Sequence, residues 1–275
     1  MPVVFSPGQT VRLAWVTDIH LEFLEEAARA RFCDRIRELE PDGVLVGGDT
    51  ALAQSCDTVL REMARRVRKP IWFVLGNHDF YGGSVAEVRE RATSLSAEGR
   101  AVWLGAVDVI ELTPRTALVG HDGWGDAGFG DHDGSTVMLN DFYRIADLLQ
   151  RDKPRLGEAL RRLGEESAAH LRRVLPQALE RFEQVVVLTH VPPFREACWH
   201  EGRISSDAYL PYFACKATGD ALLEEVGRHP DRSVTVLCGH TPSSGECHPL
   251  PNLRVVTGGA EYGKPIVQSP LLSVI

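Results

Sequence analysis

Polar clusters recur along the chain, each directly after a run of apolar, largely β-branched residues. The clusters are Asp18-Ile-His20, Gly47-Gly48-Asp49, Gly76-Asn77-His78-Asp79, Thr189-His190 and Gly239-His240. Apolar β-branched runs predict buried strands, and open α/β sheets bind their ligands at the carboxyl ends of the strands. We therefore expect these clusters to meet at one edge of an α/β sheet.

The first hundred residues alternate between predicted strands and amphipathic segments with helical spacing. The strands are 11–16, 43–48 and 70–76, and the helices are 24–39, 51–68 and 84–98. Strands that alternate with helices at a pitch of about 30 residues are typical of parallel βαβ units. The pattern favours an α/β fold.

The second half of the chain is less regular. Residues 121–139, with five glycines, predict a long loop before helices at about 140–151 and 155–182. Pro176 is expected to break or kink the second helix, because proline lacks the backbone N–H. Further strands are predicted at 101–104, 107–112, 115–120, 185–189 and 233–239, and a further helix near 217–228. Without an interdomain linker, the sequence predicts one domain over 1–275 with a loop and helical insertion at about 121–182.

Composition narrows the class of protein. A net charge of −8 argues against a nucleic-acid-coating surface, which would show a basic stripe. The longest apolar run is well short of the ~20 residues of a membrane helix, and residues 1–5 lack the pattern of a signal peptide. The six cysteines form no CxxC motif and predict reduced thiols. We expect a cytoplasmic protein without a membrane partner, and the oligomeric state stays open.

The side chains in the clusters suit a metal centre. Asp18 and His20 are two apart on an extended segment, so both can reach one ion. Asp49 follows two glycines that allow a close approach of the backbone, and a carboxylate there can bridge two ions. Asn77 offers a neutral oxygen ligand, while His78 points elsewhere and is free to act as an acid. This oxygen and nitrogen ligand set suits Mn, Fe or Zn, and also Mg.

Each cluster alone has an ordinary explanation. The Asp-x-His pair is commonly a surface turn, and a single histidine is more often structural than a ligand. His190 and His240 nevertheless both follow β-branched runs, so the same sheet edge would present all six candidate ligands. The ordered set predicts a metal site.

In this order, the motifs resemble the dinuclear-metal core of the calcineurin-like metallophosphoesterases. The resemblance runs from residue 11 to about 263. The strings Asp-Ile-His-Leu-Glu-Phe (18–23), Gly-Asn-His-Asp-Phe-Tyr-Gly-Gly (76–83) and Leu-Asn-Asp-Phe (139–142) are also similar to a bacterial branch of that family. The resemblance implies a four-layer αββα sandwich, in which helices flank two mixed β-sheets.

The resemblance also implies a role for each residue. Asp18 and His20 would hold the first of two divalent ions, and Asp49 would bridge the pair. The second ion would take Asn77, His190 and His240. His78 would protonate the leaving oxygen of the substrate.

One position departs from the family pattern. The usual final motif is Gly-His-x-His, but here Pro242 stands where the second histidine is expected. Because proline cannot ligate, the first metal site has one protein ligand fewer. The protein Ser/Thr phosphatase branch also lacks that histidine, but it carries an arginine shortly after the bridging aspartate. Residues 50–57 contain no arginine, which disfavours a protein phosphatase.

The expected function is metal-dependent hydrolysis of a phosphate monoester or diester, with a small phosphorylated substrate as the partner. A catalytically impaired scaffold that binds a protein is the alternative. The intact Asn77-His78 pair favours the enzyme, and Pro242 favours the scaffold.

Two other segments invite a functional interpretation. Residues 258–264 match the start of a P-loop, but Pro265 replaces the required Ser or Thr, so we predict a hairpin turn near the mouth of the site. The acidic segment 121–133 could form a third metal site with His121, Asp122, Asp126 and its neighbours. A solvated lid is the favoured interpretation of that segment.

Overall fold

A computed structural model describes residues 10–149 and 151–275 of the chain. The prediction about a signal peptide concerns residues that lie outside the described part. The strands are β1 (Val11–Val16), β2 (Gly43–Gly47), β3 (Ile71–Val74), β4 (Ala101–Trp103), β5 (Ile110–Thr113), β6 (Thr116–Gly120), β7 (Gln184–Leu188), β8 (Trp199–His200), β9 (Arg203–Ile204), β10 (Ser233–Cys238), β11 (Gly245–Leu250), β12 (Leu253–Thr257) and β13 (Gln268–Val274). The helices are α1 (Glu26–Glu38), α2 (Cys56–Val67), α3 (Val85–Ala97), α4 (Asp141–Arg144), α5 (Lys153–Arg181), α6 (Leu210–Phe213) and α7 (Lys216–Gly227).

The long strands form two mixed sheets. The first has the order β13-β1-β2-β3-β4, in which β1 to β4 are parallel and β13 runs antiparallel to β1. The second has the order β11-β12-β10-β7-β6-β5, with four parallel strands in the middle and an antiparallel strand at each edge. Strands β8 and β9 form a separate short ribbon.

Apolar side chains pack in three layers. Leu13 and Leu45 of the first sheet meet Val186 and Leu237 of the second sheet in the middle layer. Because successive side chains of a strand point to opposite faces, the alternate residues of β1 and β2 pack outward against α1, α2 and α3. Helices α5 and α7 cover the outer face of the second sheet in the same way. The predicted four-layer αββα sandwich is confirmed.

The predicted helix at 140–151 is wrong over most of its length. After the single turn of α4, Ile145 is extended, and a short 3₁₀ turn follows at Ala146–Leu148. The backbone pairs with a distant segment instead of continuing the helix, since Gly82 N donates to Arg144 O and Ala146 N donates to Gly83 O. These tertiary hydrogen bonds replace the helical ones.

The predicted break at Pro176 is also wrong, because α5 is one uninterrupted helix from Lys153 to Arg181. An internal proline costs a helix about 3 kcal/mol. Leu171, Leu175 and Leu179 are buried against the second sheet on both sides of the proline. Their burial offsets that cost, since each fully buried leucine contributes about 1.5–3 kcal/mol.

The carboxyl ends of five parallel strands meet at one edge of the sandwich. They belong to β1, β2 and β3 of the first sheet and to β7 and β10 of the second. Each strand is followed within three residues by one of the predicted ligands.

Among the helices of residues 10–149 and 151–275, none combines the length and apolar character needed to cross a membrane.

Candidate metal centre

The predicted ligands lie together at this edge of the sandwich. Asp18, Asp49 and His190 place donor atoms within 4.8 Å of one another, and so do His20, Asp49 and His78. The candidate ligands are buried, apart from His240, which is partly buried. Asp49 belongs to both groups and therefore stands at the centre of the arrangement.

Several of these residues hold an uncommon backbone conformation. The φ angle is 51° at Asp18, 41° at His20, 52° at Asp49 and 68° at His240. Non-glycine residues pay about 1–2 kcal/mol to adopt this left-handed region, and such strain clusters at functional sites. The conformation turns each side chain from the end of its strand toward the shared edge.

Glycine allows the strand ends to approach one another. A Cβ atom at Gly76 would collide with the Asp49 carboxylate, and one at Gly239 would collide with Asp18 and Thr17. The glycines of the sequence clusters therefore make room for the two carboxylates.

Asp49 is surrounded by imidazoles. Its Oδ2 lies 3.7 Å from His20 Nε2, and its Oδ1 lies 3.5 Å from His190 Nε2. The backbone N–H of His78 also donates to Oδ1 at 2.8 Å. Burial alone would raise the pKa of Asp49, but positive charge on nearby histidines, foremost His190, holds the pKa below its usual range. The carboxylate is therefore an anion in contact with both halves of the site.

The side-chain amide of Asn77 has a defined orientation. Its Nδ2 donates to Asp141 Oδ1 at 2.8 Å, and Tyr81 donates its hydroxyl to the same oxygen at 2.6 Å. Asn77 Oδ1 consequently faces His240 Nδ1 at 3.0 Å and His190 Nε2 at 3.2 Å. The buried Asp141 carboxylate thus directs the amide oxygen into the site.

The hydrogen bonds of His240 leave its Nδ1 without a hydrogen. The carbonyl oxygen of Tyr212 lies 3.1 Å from Nε2 and can only accept, so Nε2 carries the hydrogen. Burial lowers the pKa of His240 to about 3, which keeps the ring neutral. His240 Nδ1 and Asn77 Oδ1 therefore present lone pairs to each other. Such a contact is repulsive unless both atoms coordinate one cation, so the residues fit a metal ion.

A backbone carbonyl oxygen also orients the ring of His190, which lies on the other side of Asn77. Its Nδ1 donates to the carbonyl oxygen of Gly47 at 2.8 Å, which directs Nε2 toward Asn77 and Asp49. Burial opposes a charged ring, yet the carboxylates of Asp49 and Asp18 raise the pKa of His190. Positive charge is stabilised at this point, whether a proton or a metal ion supplies it.

The other half of the site contains Asp18 and His20. The Asp18 carboxylate accepts from Thr17 Oγ1 at 2.6 Å and from the backbone N–H of His240 at 3.0 Å. His20 Nδ1 lies 3.4 Å from Glu22 Oε1, and this contact turns Nε2 toward Asp49. A carboxylate behind a ligating histidine fixes the tautomer and the ring orientation.

Among the described His, Cys, Asp and Glu residues, His78 is the one outside the predicted ligands that joins a group able to hold an ion, together with His20 and Asp49. The groups that could hold an ion in residues 10–149 and 151–275 comprise only Asp18, His20, Asp49, His78 and His190. Glu246 is paired with Arg254 at the surface, and His121 is hydrogen-bonded to Ser167 in the interior. That Asp18, His20 and Asp49 hold the first of two ions stays a prediction.

His78 stands beside the first site and partly faces solvent. Its ring stacks on Tyr81 at 4.2 Å, and its Nδ1 lies 3.9 Å from Glu22 Oε1. Burial works against the charged ring, but the carboxylates of Asp49, Glu22 and Asp141 raise the pKa of His78 to about 9. The imidazole therefore retains a proton at neutral pH.

Sequence reasoning missed three residues that border the centre. Glu22, Tyr81 and Asp141 contact the predicted site residues, although all three lie within strings that carried the resemblance to the bacterial branch. The contacts of Asp141 with Asn77 and Tyr81 depend on segments 60 or more residues apart meeting in space. Glu22 and Tyr81 lie only two and four residues from His20 and Asn77, but no motif used in the sequence analysis gave them a role.

The acidic segment 121–133 is solvated only in part, since Asp131 and Asp133 are exposed. His121, Asp122, Asp126 and His132 are buried. The Asp122 carboxylate accepts from the backbone of Leu75 and from the indole of Trp103, so it ties β3 and β4 to β6. None of these side chains belongs to a group in the described residues that could hold an ion. The segment fastens the two sheets together.

The sequence matches the calcineurin-like phosphoesterase family over residues 11–244. The chain belongs to this family. It is therefore a metal-dependent phosphoesterase, a hydrolase that acts on phosphate esters, and the family resemblance is confirmed.

Solved structures have the same fold as this phosphoesterase. Phosphopantetheinyl hydrolase from Mycobacterium tuberculosis is 17% identical, with a TM-score of 0.64 over 94% of this chain and 96% of that chain. A dimetal phosphatase from Danio rerio is 15% identical, with a TM-score of 0.56 over 91% of this chain and 87% of that chain. No curated protein matches the sequence.

Proposed function

We propose that this phosphoesterase hydrolyses a phosphate monoester or diester at a dinuclear metal centre. The contact between His240 Nδ1 and Asn77 Oδ1 carries the proposal, because two lone pairs 3.0 Å apart repel each other unless both atoms coordinate one cation. Asp49 supports the dinuclear form, since its two oxygens face His190 on one side and His20 on the other.

Each ion has its own donors in this proposal. Asn77, His190 and His240 would hold the second ion, Asp18 and His20 would hold the first, and Asp49 would bridge. Nitrogen and carboxylate donors suit Mn, Fe or Zn, and Mg less well. When bound, such ions polarise the phosphoryl oxygens and lower the pKa of a water nucleophile.

In this proposal, the chain itself supplies the proton that the leaving oxygen of the ester receives. His78 carries it at neutral pH, and the Glu22 and Asp49 carboxylates stabilise the imidazolium beside the centre. His78 would pass this proton to the leaving oxygen of the ester, which avoids the release of a strongly basic alkoxide. Glu22 contacts both His20 and His78, so one carboxylate would orient a ligand and the acid.

The substrate that we propose is a small phosphorylated molecule, and the compartment is the cytoplasm. All six cysteines are free thiols, which suits a reducing compartment. We retain the single-domain organisation as part of this proposal.

A panel of esters with metal-stripped protein tests the function. The panel contains 4-nitrophenyl phosphate, bis(4-nitrophenyl) phosphate and a phosphopantetheinyl ester, the last because a protein of the same fold is a phosphopantetheinyl hydrolase. Turnover should appear on addition of Mn, Fe or Zn, together with up to two bound ions per chain by elemental analysis. Binding of ions without turnover of any ester would favour the scaffold alternative, and failure to bind ions would refute the metal centre.

A further inference from the structure

Two large aromatic side chains are exposed at the mouth of the site. Phe23 is 58% exposed and Tyr262 is 61% exposed, and their ring centroids lie 5.3 Å apart in an edge-to-face arrangement. We refer to these two residues as the aromatic pair. Exposed apolar side chains that cluster mark binding sites, whereas single ones are ordinary.

The aromatic pair borders the side of the centre on which His78 lies. The Tyr262 ring is 4.5 Å from the His20 ring and 6.0 Å from the His78 ring, and Phe23 is 6.0 Å from His20. In the proposed function, on which this inference rests, His78 protonates the leaving oxygen. The leaving group must therefore pass beside these two rings.

Both rings are attached to segments that build the centre. Phe23 ends a 3₁₀ turn that starts directly after His20, and its N–H donates to His20 O at 3.1 Å. Tyr262 belongs to the segment 258–264, which fails as a P-loop. The N–H of Ala260 in this segment donates to Pro242 O at 3.1 Å. These attachments give the rings a defined position relative to the imidazoles.

A groove continues outward from the aromatic pair. It is an open groove of about 720 Å³ between α1 and residues 263–266, lined by apolar residues such as Leu24 and Ile266 and by the charged residues Arg31, Asp34, Arg35, Glu38 and Lys264. Leu24 and Gly263 directly follow Phe23 and Tyr262 in the chain, so the groove begins where the aromatic pair ends. A leaving group larger than one ring would have space there.

We propose that Phe23 and Tyr262 bind the leaving group and select phosphate esters of aromatic alcohols. A flat ring can stack on one aromatic side chain and meet the edge of the other, which is the geometry that aromatic groups prefer. The groove, whose lining combines apolar and charged side chains, then accommodates the remainder of the leaving group. The selected substrates are aryl or arylalkyl phosphates rather than esters of small polar alcohols.

Phenyl phosphate and 2-naphthyl phosphate test this inference, because their leaving groups have nearly equal basicity and differ in aromatic area. The wild type should prefer the naphthyl ester in kcat/KM by about two- to tenfold, the range expected for one aromatic contact. Phe23→Ala and Tyr262→Ala should each bring the ratio of the two kcat/KM values close to one. Tyr262→Phe keeps the ring and should keep the preference.

Tyr209→Ala is the matched control. Tyr209 is also an exposed aromatic residue, but it pairs with Phe213 on the His240 side of the centre. Equal kcat/KM values for the two esters in the wild type, a preference that survives both alanine variants, or a loss of preference in Tyr209→Ala would each overturn the proposal.

A binding measurement separates this inference from the proposed function. If no ester is hydrolysed, the proposed function fails, and the dissociation constants of 2-naphthylphosphonate and phenylphosphonate in the presence of Mn still decide the inference. Tighter binding of the naphthyl compound that disappears in Tyr262→Ala supports the aromatic pair. Equal dissociation constants refute it.

Discussion

His240 Nδ1 and Asn77 Oδ1 face each other at 3.0 Å, and neither atom has a hydrogen to share. Tyr212 O fixes the imidazole from one side and Asp141 fixes the amide from the other. Tyr212 O and Asp141 therefore orient both lone pairs toward the position that a cation would take. This arrangement makes the site specific for a positive ion rather than for a hydrogen bond.

Replacement of Asp49 tests the bridge. Asp49→Asn should abolish turnover and reduce bound metal to one ion or fewer per chain, because both halves of the site share this carboxylate. Elemental analysis of the purified variant and steady-state rates measure the two effects. Two tightly held ions with near-normal turnover would exclude a bridging role for Asp49.

Replacement of His78 separates an acid from a ligand. His78→Gln should keep both ions and lower kcat by about 10²–10⁴, which is the range for a lost general acid. The effect should shrink for 4-nitrophenyl esters, whose leaving group needs little protonation. Since His78 also lies within reach of His20 and Asp49, loss of metal in this variant would identify it as a ligand.

The two sites should differ in affinity. In the proposed centre, Pro242 would leave the first ion with Asp18, His20 and the shared Asp49, while the second would keep Asn77, His190 and His240 beside Asp49. Titration of Mn into stripped protein should show two steps, with activity following the weaker one. Pro242→His should tighten the weaker step, and a single tight two-ion step in the wild type would contradict the assignment.

Asp141 should increase the metal affinity of the second site, because it orients the side-chain amide of Asn77. Asp141→Ala frees the amide to rotate, so the affinity of the tighter step should fall by about 10–100-fold, the usual cost of removing a group that orients a ligand. Asp131→Ala is a suitable control, because the carboxylate of this exposed residue accepts from the backbone N–H of Gly134 in its own turn. Unchanged metal affinity in Asp141→Ala would show that packing alone orients Asn77.

The buried pair His121 and His170 should make the fold sensitive to acid. Burial lowers the pKa of His121 to about 3 and, together with Arg173, lowers that of His170 to about 4. The unfolded chain binds these protons below about pH 6.5, so stability is complete above that pH and falls as the pH drops toward 4. Each histidine contributes a slope of up to about 1.4 kcal/mol per pH unit.

Urea unfolding between pH 7 and pH 5 measures that slope. His121→Gln removes one titrating group and should flatten the curve, whereas His248→Gln, an exposed histidine, should not. Equal slopes for the wild type and His121→Gln would show that other groups govern the acid sensitivity.

Local patterns determined the strands, the order of the ligands and the edge at which they meet. The apolar runs before Asp18, Asp49 and Asn77 predict strands β1 to β3, because burial of parallel strands on both faces requires apolar residues throughout. The carboxyl ends of parallel strands necessarily share an edge. The positions of the candidate ligands followed from the pattern for this reason.

Tertiary structure decided which groups support those ligands and where the helices end. Asp141 reaches Asn77 across 64 residues of sequence, and Tyr262 reaches His20 across an even longer separation. Helix α4 stops after one turn because Gly82 and Gly83 take its hydrogen bonds, and α5 continues through Pro176 because the second sheet buries its flanks. Propensity acts over a few neighbouring residues, whereas these outcomes depend on contacts that exist only after the two sheets have packed together.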